Sequence, residues 1–81
     1  MTISDAPLHS KLKVTSFHSD DLVSLNDLES RLMLLGFIHG EIITVKKKAP
    51  IFKEPLLVEV RGRMVALTKS EAELVEVEVS V

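Results

Sequence analysis

The strongest constraint on the fold is an alternation of apolar and acidic residues near the C-terminal end of the chain. Residues 74–79 read LVEVEV, in which Val75, Val77 and Val79 alternate with Glu76 and Glu78. Successive side chains of a strand point to opposite faces, so this period predicts a strand with one buried face. We expect the three valines to face a core and the two glutamates to face water.

Four further segments have strand character and bring the expected number of short strands to about five. They are residues 11–17 (KLKVTSF), 41–48 (EIITVKKK), 56–60 (LLVEV) and 64–67 (MVAL). In the first, Leu12 and Val14 share one face, which predicts a half-buried strand. The last two segments are separated by Arg61, Gly62 and Arg63, a sequence typical of a tight hairpin turn.

A different period marks the middle of the chain as helical. Leucines recur three or four residues apart at Leu25, Leu28, Leu32 and Leu35, which makes one apolar stripe on a short helix. Asn26 or Asp27 can cap its start, and Gly36 is suited to end it with a positive φ. Residues 68–73 (TKSEAE) predict one further helical turn, with Ser70 as the candidate cap.

The length of the chain limits how these elements can be arranged. A chain of 81 residues holds one domain with one small core. Residues 1–10 show no periodicity, so we interpret them as a flexible N-terminal tail and residues 11–81 as the domain. Because one short helix cannot cover a sheet, closing the sheet removes its exposed edges. We therefore predict a mainly β fold, a small SH3-like barrel of about five strands with one short helix.

Composition excludes several classes of function. The chain has no cysteine, which rules out disulfides, thiolate metal sites and thiol catalysis. Its net charge of -2 argues against a dedicated nucleic-acid binder, which usually carries a strongly basic face. No apolar run reaches the roughly 20 residues that a membrane span needs, and no signal peptide is evident. We expect a soluble, cytoplasmic protein without direct membrane insertion.

Neither a catalytic centre nor a cofactor site is predicted. The histidines His9, His18 and His39 do not share a spacing that converges on one ion, and Asp20 and Asp21 beside His18 are a weak indication of a divalent site. No serine lies in a G-x-S-x-G turn. The glycine pair in residues 36–40 lacks the GK[ST] of a phosphate-binding loop. We therefore expect a protein that is not an enzyme, with no assigned metal ligand.

Two surface features leave alternatives open. The lysines of residues 46–48 are interpreted as a solvated strand end, and a basic patch shared with Lys53, Arg61 and Arg63 is the alternative. Ile51 and Phe52 lie in a loop between prolines, where they either cover a barrel end or meet a partner. A proline-stiffened loop has a lower ordering cost on binding.

The order of the motifs resembles the ferrous iron transport protein A (FeoA) family. That family's pattern runs R-L-x-x-L-G, a turn glycine, a β-branched strand, a proline loop, a glycine hairpin and an E-A pair before the last strand. The matching positions here are Arg31, Leu32, Leu35, Gly36, Gly40, Ile43, Val45, Pro50, Pro55, Val58, Val60, Gly62, Val65, Leu67, Glu71 and Ala72. The resemblance covers nearly the whole domain.

The resemblance implies a cytoplasmic, non-enzymatic accessory protein of bacterial ferrous iron uptake. Its implied partner is the membrane ferrous iron permease with a GTP-binding domain, ferrous iron transport protein B. The resemblance also associates the chain with transition metal ions without assigning a ligand. It leaves open whether the chain forms a homo-oligomer. The alternative is a metal-linked, SH3-like regulatory domain of the iron-dependent transcriptional repressor type.

With this partner in view, we expect the contact surface at the helix corner and in the loop that follows. The expected partner-binding residues are Arg31, Leu32, Leu35, Phe37, Ile51 and Phe52. Leu32 and Leu35 belong to the apolar stripe, so a place in the core is the alternative for both.

Overall fold

A computed structural model describes residues 1–17, 29–49 and 55–80 of the chain. Its elements are a 3-10 turn at Ile3–Asp5, β1 at Lys11–Phe17, helix α1 with residues 29–34, β2 at Ile42–Lys48, β3 at Leu56–Val60, β4 at Arg63–Leu67, helix α2 at Lys69–Leu74 and β5 at Val75–Val79. The five strands form one antiparallel sheet in the order β4-β3-β2-β1-β5. The predicted mainly β fold of five strands is confirmed, and so are the predicted bounds of β1 and β3.

The hairpin between β3 and β4 has a regular register. Val60 pairs with Arg63, and the register continues without a shift to the pair of Leu56 and Leu67. The two intervening residues, Arg61 and Gly62, have φ values of 52° and 78°. Positive φ at both loop positions is the type I′ turn, whose twist matches that of the flanking strands. The predicted turn is confirmed.

Two irregularities interrupt the sheet. The register of β1 against β5 shifts between Val14 and Ser16, and that of β2 against β3 shifts between Val45 and Lys47. Such bulges bend a strand and increase its local twist. Both lie on the central strands β1 and β2, so they help the sheet to curve around one core.

The core collects residues from every part of the sheet and from both helices. Its buried members are Ile3, Ala6, Leu12, Val14, Leu32, Phe37, Ile43, Val45, Leu56, Val58, Val60, Leu67, Ala72, Val75 and Val77. The inward positions predicted for β1 and for the first two valines of β5 are confirmed. The prediction for Val79 is wrong, since this side chain is 55% exposed. Val79 pairs with the buried Leu12 but lies at the end of β5, an edge strand of the sheet, and Glu78 beside it faces water as predicted.

The interpretation of residues 1–10 as a flexible tail is corrected. Ile3 and Ala6 are fully buried, because the 3-10 turn places residues three apart on the same face. Val77 donates its backbone N–H to the Met1 carbonyl at 2.8 Å, and Thr2 forms a bridge with Glu76 on the outer edge of β5. The segment thus completes the core and covers a sheet edge. The sequence did not predict this arrangement, because two apolar residues are too few to form a periodic pattern.

Replacing Ile3 with alanine tests this correction. We expect the free energy of unfolding to fall by about 2 kcal/mol, because a buried isoleucine loses its packing. The loss is limited because the N-terminal segment can detach while the sheet persists. Urea titration followed by circular dichroism measures the change. Leu8→Ala is the matched control, since Leu8 is 45% exposed, and an equal loss in both variants would contradict the packed position of Ile3.

Helix α2 begins with a complete capping box, and its cap lies two residues before the predicted one. Thr68 accepts a hydrogen bond at its Oγ1 from the Glu71 backbone N–H at 3.2 Å, and Glu71 Oε1 accepts one from the Thr68 N–H at 2.9 Å. These reciprocal bonds satisfy backbone donors that a helix start leaves without partners. Thr68 is therefore the cap, and the prediction of Ser70 in this role is wrong.

Candidate functional site

The predicted contact residue Arg31 lies on α1, with its side chain directed to α2. Its Nη1 is 3.1 Å from Glu71 Oε2, and the geometry is that of an ion pair without an aligned hydrogen bond. The Glu71 side chain is almost completely buried, whereas that of Arg31 is mostly exposed. The arginine therefore compensates a buried carboxylate and joins the two helices. This intramolecular contact accounts for Arg31 without a partner protein.

A double-mutant cycle measures that compensation. Arg31→Ala should lower the free energy of unfolding by about 1.5 kcal/mol, because the buried Glu71 carboxylate loses its counterion while solvent screening limits the cost. Glu71→Gln keeps an acceptor for the Thr68 N–H and should cost less. The double variant should lose less free energy of unfolding than the sum of the two single losses, as determined by chemical denaturation. Additive losses would show that the ion pair contributes nothing.

The end of α1 explains the position of two other predicted contact residues. Gly36 donates its N–H to the Met33 carbonyl at 3.1 Å, and Phe37 donates to the Leu32 carbonyl at 3.0 Å. This pair of bonds, with Gly36 at a φ of 109°, is a Schellman motif. The motif characteristically brings together the apolar residues at the positions of Leu32 and Phe37. Both are fully buried here, Leu32 in the core position that was its stated alternative, so neither side chain is open to a partner in this structure.

The backbone at Gly36 lies close to β3, and this contact fixes the direction in which the chain leaves α1. A Cβ atom at Gly36 would lie 2.7 Å from Val60 Cγ1, a distance that two carbon atoms cannot adopt without displacement. Glycine therefore allows the helix end to lie directly on the end of β3. Because Val60 is followed by the hairpin turn, the same approach places the end of α1 beside Arg61 and Arg63.

Large apolar side chains at the end of α1 remain in contact with water. Met33 is 48% exposed, Leu34 90% and the predicted contact residue Leu35 38%. Leu34 and Met33 were missed by the sequence prediction, which followed the leucine stripe. The available signal was a run of four apolar residues, Leu32 to Leu35, on an amphipathic helix, where the positions outside the stripe are normally polar.

An open pocket of about 320 Å³ lies between these side chains and the hairpin. Its lining consists of Met33, Leu34, Leu35, Gly36, Ile38, Val60, Arg61 and Arg63. We call the exposed part of this region, formed by Met33, Leu34, Leu35, Arg61 and Arg63, the helix–hairpin surface. Among the described residues of the lining, the charged ones are arginines and none carries a carboxylate.

The two arginines differ in their surroundings. Arg61 Nη2 is 3.2 Å from Glu41 Oε2, an ion pair that connects the hairpin to the start of β2. Arg63 is exposed, and within the described ranges it forms no ion pair. The helix–hairpin surface therefore combines an apolar centre with one guanidinium held in place and one available.

The structure does not describe several of the other predicted residues. Ile51 and Phe52 lie outside the described residues, as do His18, Asp20 and Asp21. His9 lies near the N-terminal segment, where its backbone N–H donates to the Val45 carbonyl at 2.7 Å. Across residues 1–17, 29–49 and 55–80, no three acidic or histidine side chains are grouped as metal ligands. No helix in these same ranges is long and apolar enough to span a membrane.

Comparison with protein families identifies one match. The FeoA domain matches residues 1–79 of the chain, which include the N-terminal segment packed against β5. A search of curated proteins found no match.

Two solved structures combine sequence and structural similarity. The Stenotrophomonas maltophilia FeoA, solved with zinc and described as a procaryotic SH3 domain protein, is 40% identical, with a TM-score of 0.76 over 96% of this chain and 89% of that one. The FeoA protein from Chlorobium tepidum is 27% identical, with a TM-score of 0.81 over 100% of this chain and 71% of that one. The SH3-like character of the fold is thereby confirmed.

A third structure shares the fold alone. It is the T. acidophilum IdeR, which is 21% identical with a TM-score of 0.79. The similarity covers 99% of this chain and 34% of that one. The same small sheet thus occurs as one part of a longer protein.

Proposed function

Because the chain belongs to the FeoA domain family, we propose that it is a cytoplasmic, non-enzymatic accessory protein of ferrous iron uptake that binds the GTP-binding ferrous iron permease. The observation that carries this proposal is the 40% identity to the S. maltophilia FeoA over nearly the full length of both chains. That protein is described as a candidate activating factor of bacterial ferrous iron transport. The exposed apolar side chains at the end of α1 support a role in binding.

Of the expected contact residues, Leu35 retains the best position for a partner. It is partly exposed and lines the pocket of the helix–hairpin surface. Arg31 is exposed but already compensates Glu71, so a partner would meet it as part of an ion pair. Ile51 and Phe52 stay proposed contacts on the strength of the sequence alone.

Direct binding to the permease tests the proposal. The purified chain is titrated into the permease's cytoplasmic GTP-binding domain, and into the intact permease in detergent, each with GDP or a non-hydrolysable GTP analogue. We expect saturable binding in at least one nucleotide state, measured by calorimetry. In cells, deletion of the gene should lower ferrous iron uptake, and the intact gene should restore it. Absence of binding in every state, together with unchanged uptake, would refute the proposal.

A second candidate is the SH3-like regulatory domain of a metal-dependent repressor. It is favoured by the fold similarity to the T. acidophilum IdeR, of which the chain covers 34%. The titration distinguishes the two candidates when operator DNA and a repressor's DNA-binding domain are included as ligands. Binding to either of these, with none to the permease, would favour the second candidate.

A further inference from the structure

The helix–hairpin surface has a chemistry that the fold itself does not use. Met33, Leu34 and Leu35 form its apolar centre, and Arg61 and Arg63 form a basic border. We propose that this surface docks a segment of the partner protein in which large apolar side chains are flanked by aspartate or glutamate. The partner is the one named in the proposed function, so this inference rests on that proposal and assigns its contact site.

The apolar centre indicates a protein as the occupant. One exposed leucine on a small domain needs no explanation, but three successive apolar residues beside a pocket form a patch. Leu34 is 90% exposed, so it contributes little to the core. A partner's apolar side chain that enters the pocket would remove these groups from water, which is the main favourable term in protein association.

The border indicates the charge of the segment. Within the part of the chain that the structure describes, both charged residues of the lining are arginines, although the chain as a whole has a net charge of -2. Arg61 is held in position by Glu41 at 3.2 Å. Arg63 is exposed and forms no ion pair with the described residues, so its guanidinium is available for a partner. A guanidinium beside an apolar patch favours a carboxylate, which it can bind with two parallel hydrogen bonds.

Other occupants fit the surface less well. In a symmetric dimer the same patch would meet itself, which places the arginines of one copy near those of the other. Nucleic acid would accept the arginines but leave the apolar centre without a function. An anionic membrane would gain little from two arginines and a patch of three side chains, because stable peripheral binding needs a larger apolar face or a cluster of basic residues.

Exposure also makes the surface easy to test, since its variants should fold normally. Leu34→Ser and Arg63→Glu change residues that are open to solvent in the structure. Leu8→Ser and Lys46→Glu are the matched controls, because both residues are exposed and neither belongs to the helix–hairpin surface. We expect all four variants to match the wild type in fold, as checked by circular dichroism and thermal melting.

The affinity of each variant is measured by calorimetry for the cytoplasmic part of the permease. We expect Leu34→Ser and Arg63→Glu each to weaken binding about tenfold, and both controls to bind like the wild type. Arg63→Glu should also flatten the dependence of affinity on salt. Among overlapping peptides that cover the cytoplasmic segments of the permease, those with acidic residues around an apolar pair should bind the wild type and lose binding to Arg63→Glu.

The outcomes separate this inference from the proposed function. Wild-type binding that survives both surface variants would overturn the docking site and leave the permease as partner. No wild-type binding would remove the proposed function and the docking site with it. Wild-type binding to vesicles with anionic lipid, or wild-type dimerisation in sedimentation, would overturn the inference if Leu34→Ser abolished it while permease binding was unchanged.

Discussion

Replacing Phe37 with alanine should lower the free energy of unfolding by about 4 kcal/mol, because a fully buried aromatic side chain leaves a cavity behind. A domain of this size has a total stability of roughly 4–12 kcal/mol. A loss of about 4 kcal/mol therefore removes between roughly a third and all of that stability. Urea denaturation followed by circular dichroism, combined with a thermal melt, measures the loss.

Phe37→Leu is the matched variant, since it keeps most of the apolar volume and should cost about 1.5 kcal/mol or less. The comparison also distinguishes the two roles considered for Phe37. If the residue were a partner contact on a free surface, Phe37→Ala would weaken binding and leave stability unchanged. That result would contradict the packed corner between α1 and β2.

Substituting alanine for Gly36 should lower the free energy of unfolding by about 3 kcal/mol, the sum of a strained backbone and an overpacked contact. The φ of 109° is unfavourable for a residue with a Cβ atom, and that atom would lie 2.7 Å from Val60 Cγ1. Because Val60 is buried in the core, neither side can move away freely. Chemical denaturation measures the loss.

Gly40→Ala is a control that keeps the backbone strain but lacks the overpacked contact. Its φ of 88° is also positive, but a Cβ atom there would meet no atom within 4 Å. Gly40→Ala should therefore cost about 1–2 kcal/mol, the backbone term alone. Equal losses in the two variants would show that the approach of α1 to β3 is not tight. In that case the placement of the helix end beside the hairpin would lose its support.

Phe37 and Gly36 connect the stability of the fold to the proposed docking site. The Schellman motif buries Leu32 and Phe37, which fixes the end of α1 on the core. The approach of Gly36 to Val60 then brings that helix end next to Arg61 and Arg63. The exposed side chains of the helix–hairpin surface are thus held by buried neighbours, and this arrangement reduces the ordering cost of binding.

The sequence by itself determined the strands, the hairpin turn and the end of α1. The periods of two in residues 11–17 and 56–60 identify strands because local alternation follows directly from strand geometry. Gly36 and Gly62 identify turns because positive φ is a local property of the backbone. The ordered set of motifs was also sufficient for the FeoA resemblance, which the match over residues 1–79 bears out.

Only the tertiary structure decided which apolar residues are buried. Ile3 and Ala6 have no periodic context, and they are buried because the N-terminal segment folds against β5, far away in the sequence. Val79 continues a perfect alternation and is exposed, because it lies at the end of β5, an edge strand of the sheet. Leu32 and Leu34 are the same residue type two positions apart. One lies in the core and the other in water, because the packing of α1 against the sheet selects one face of the helix.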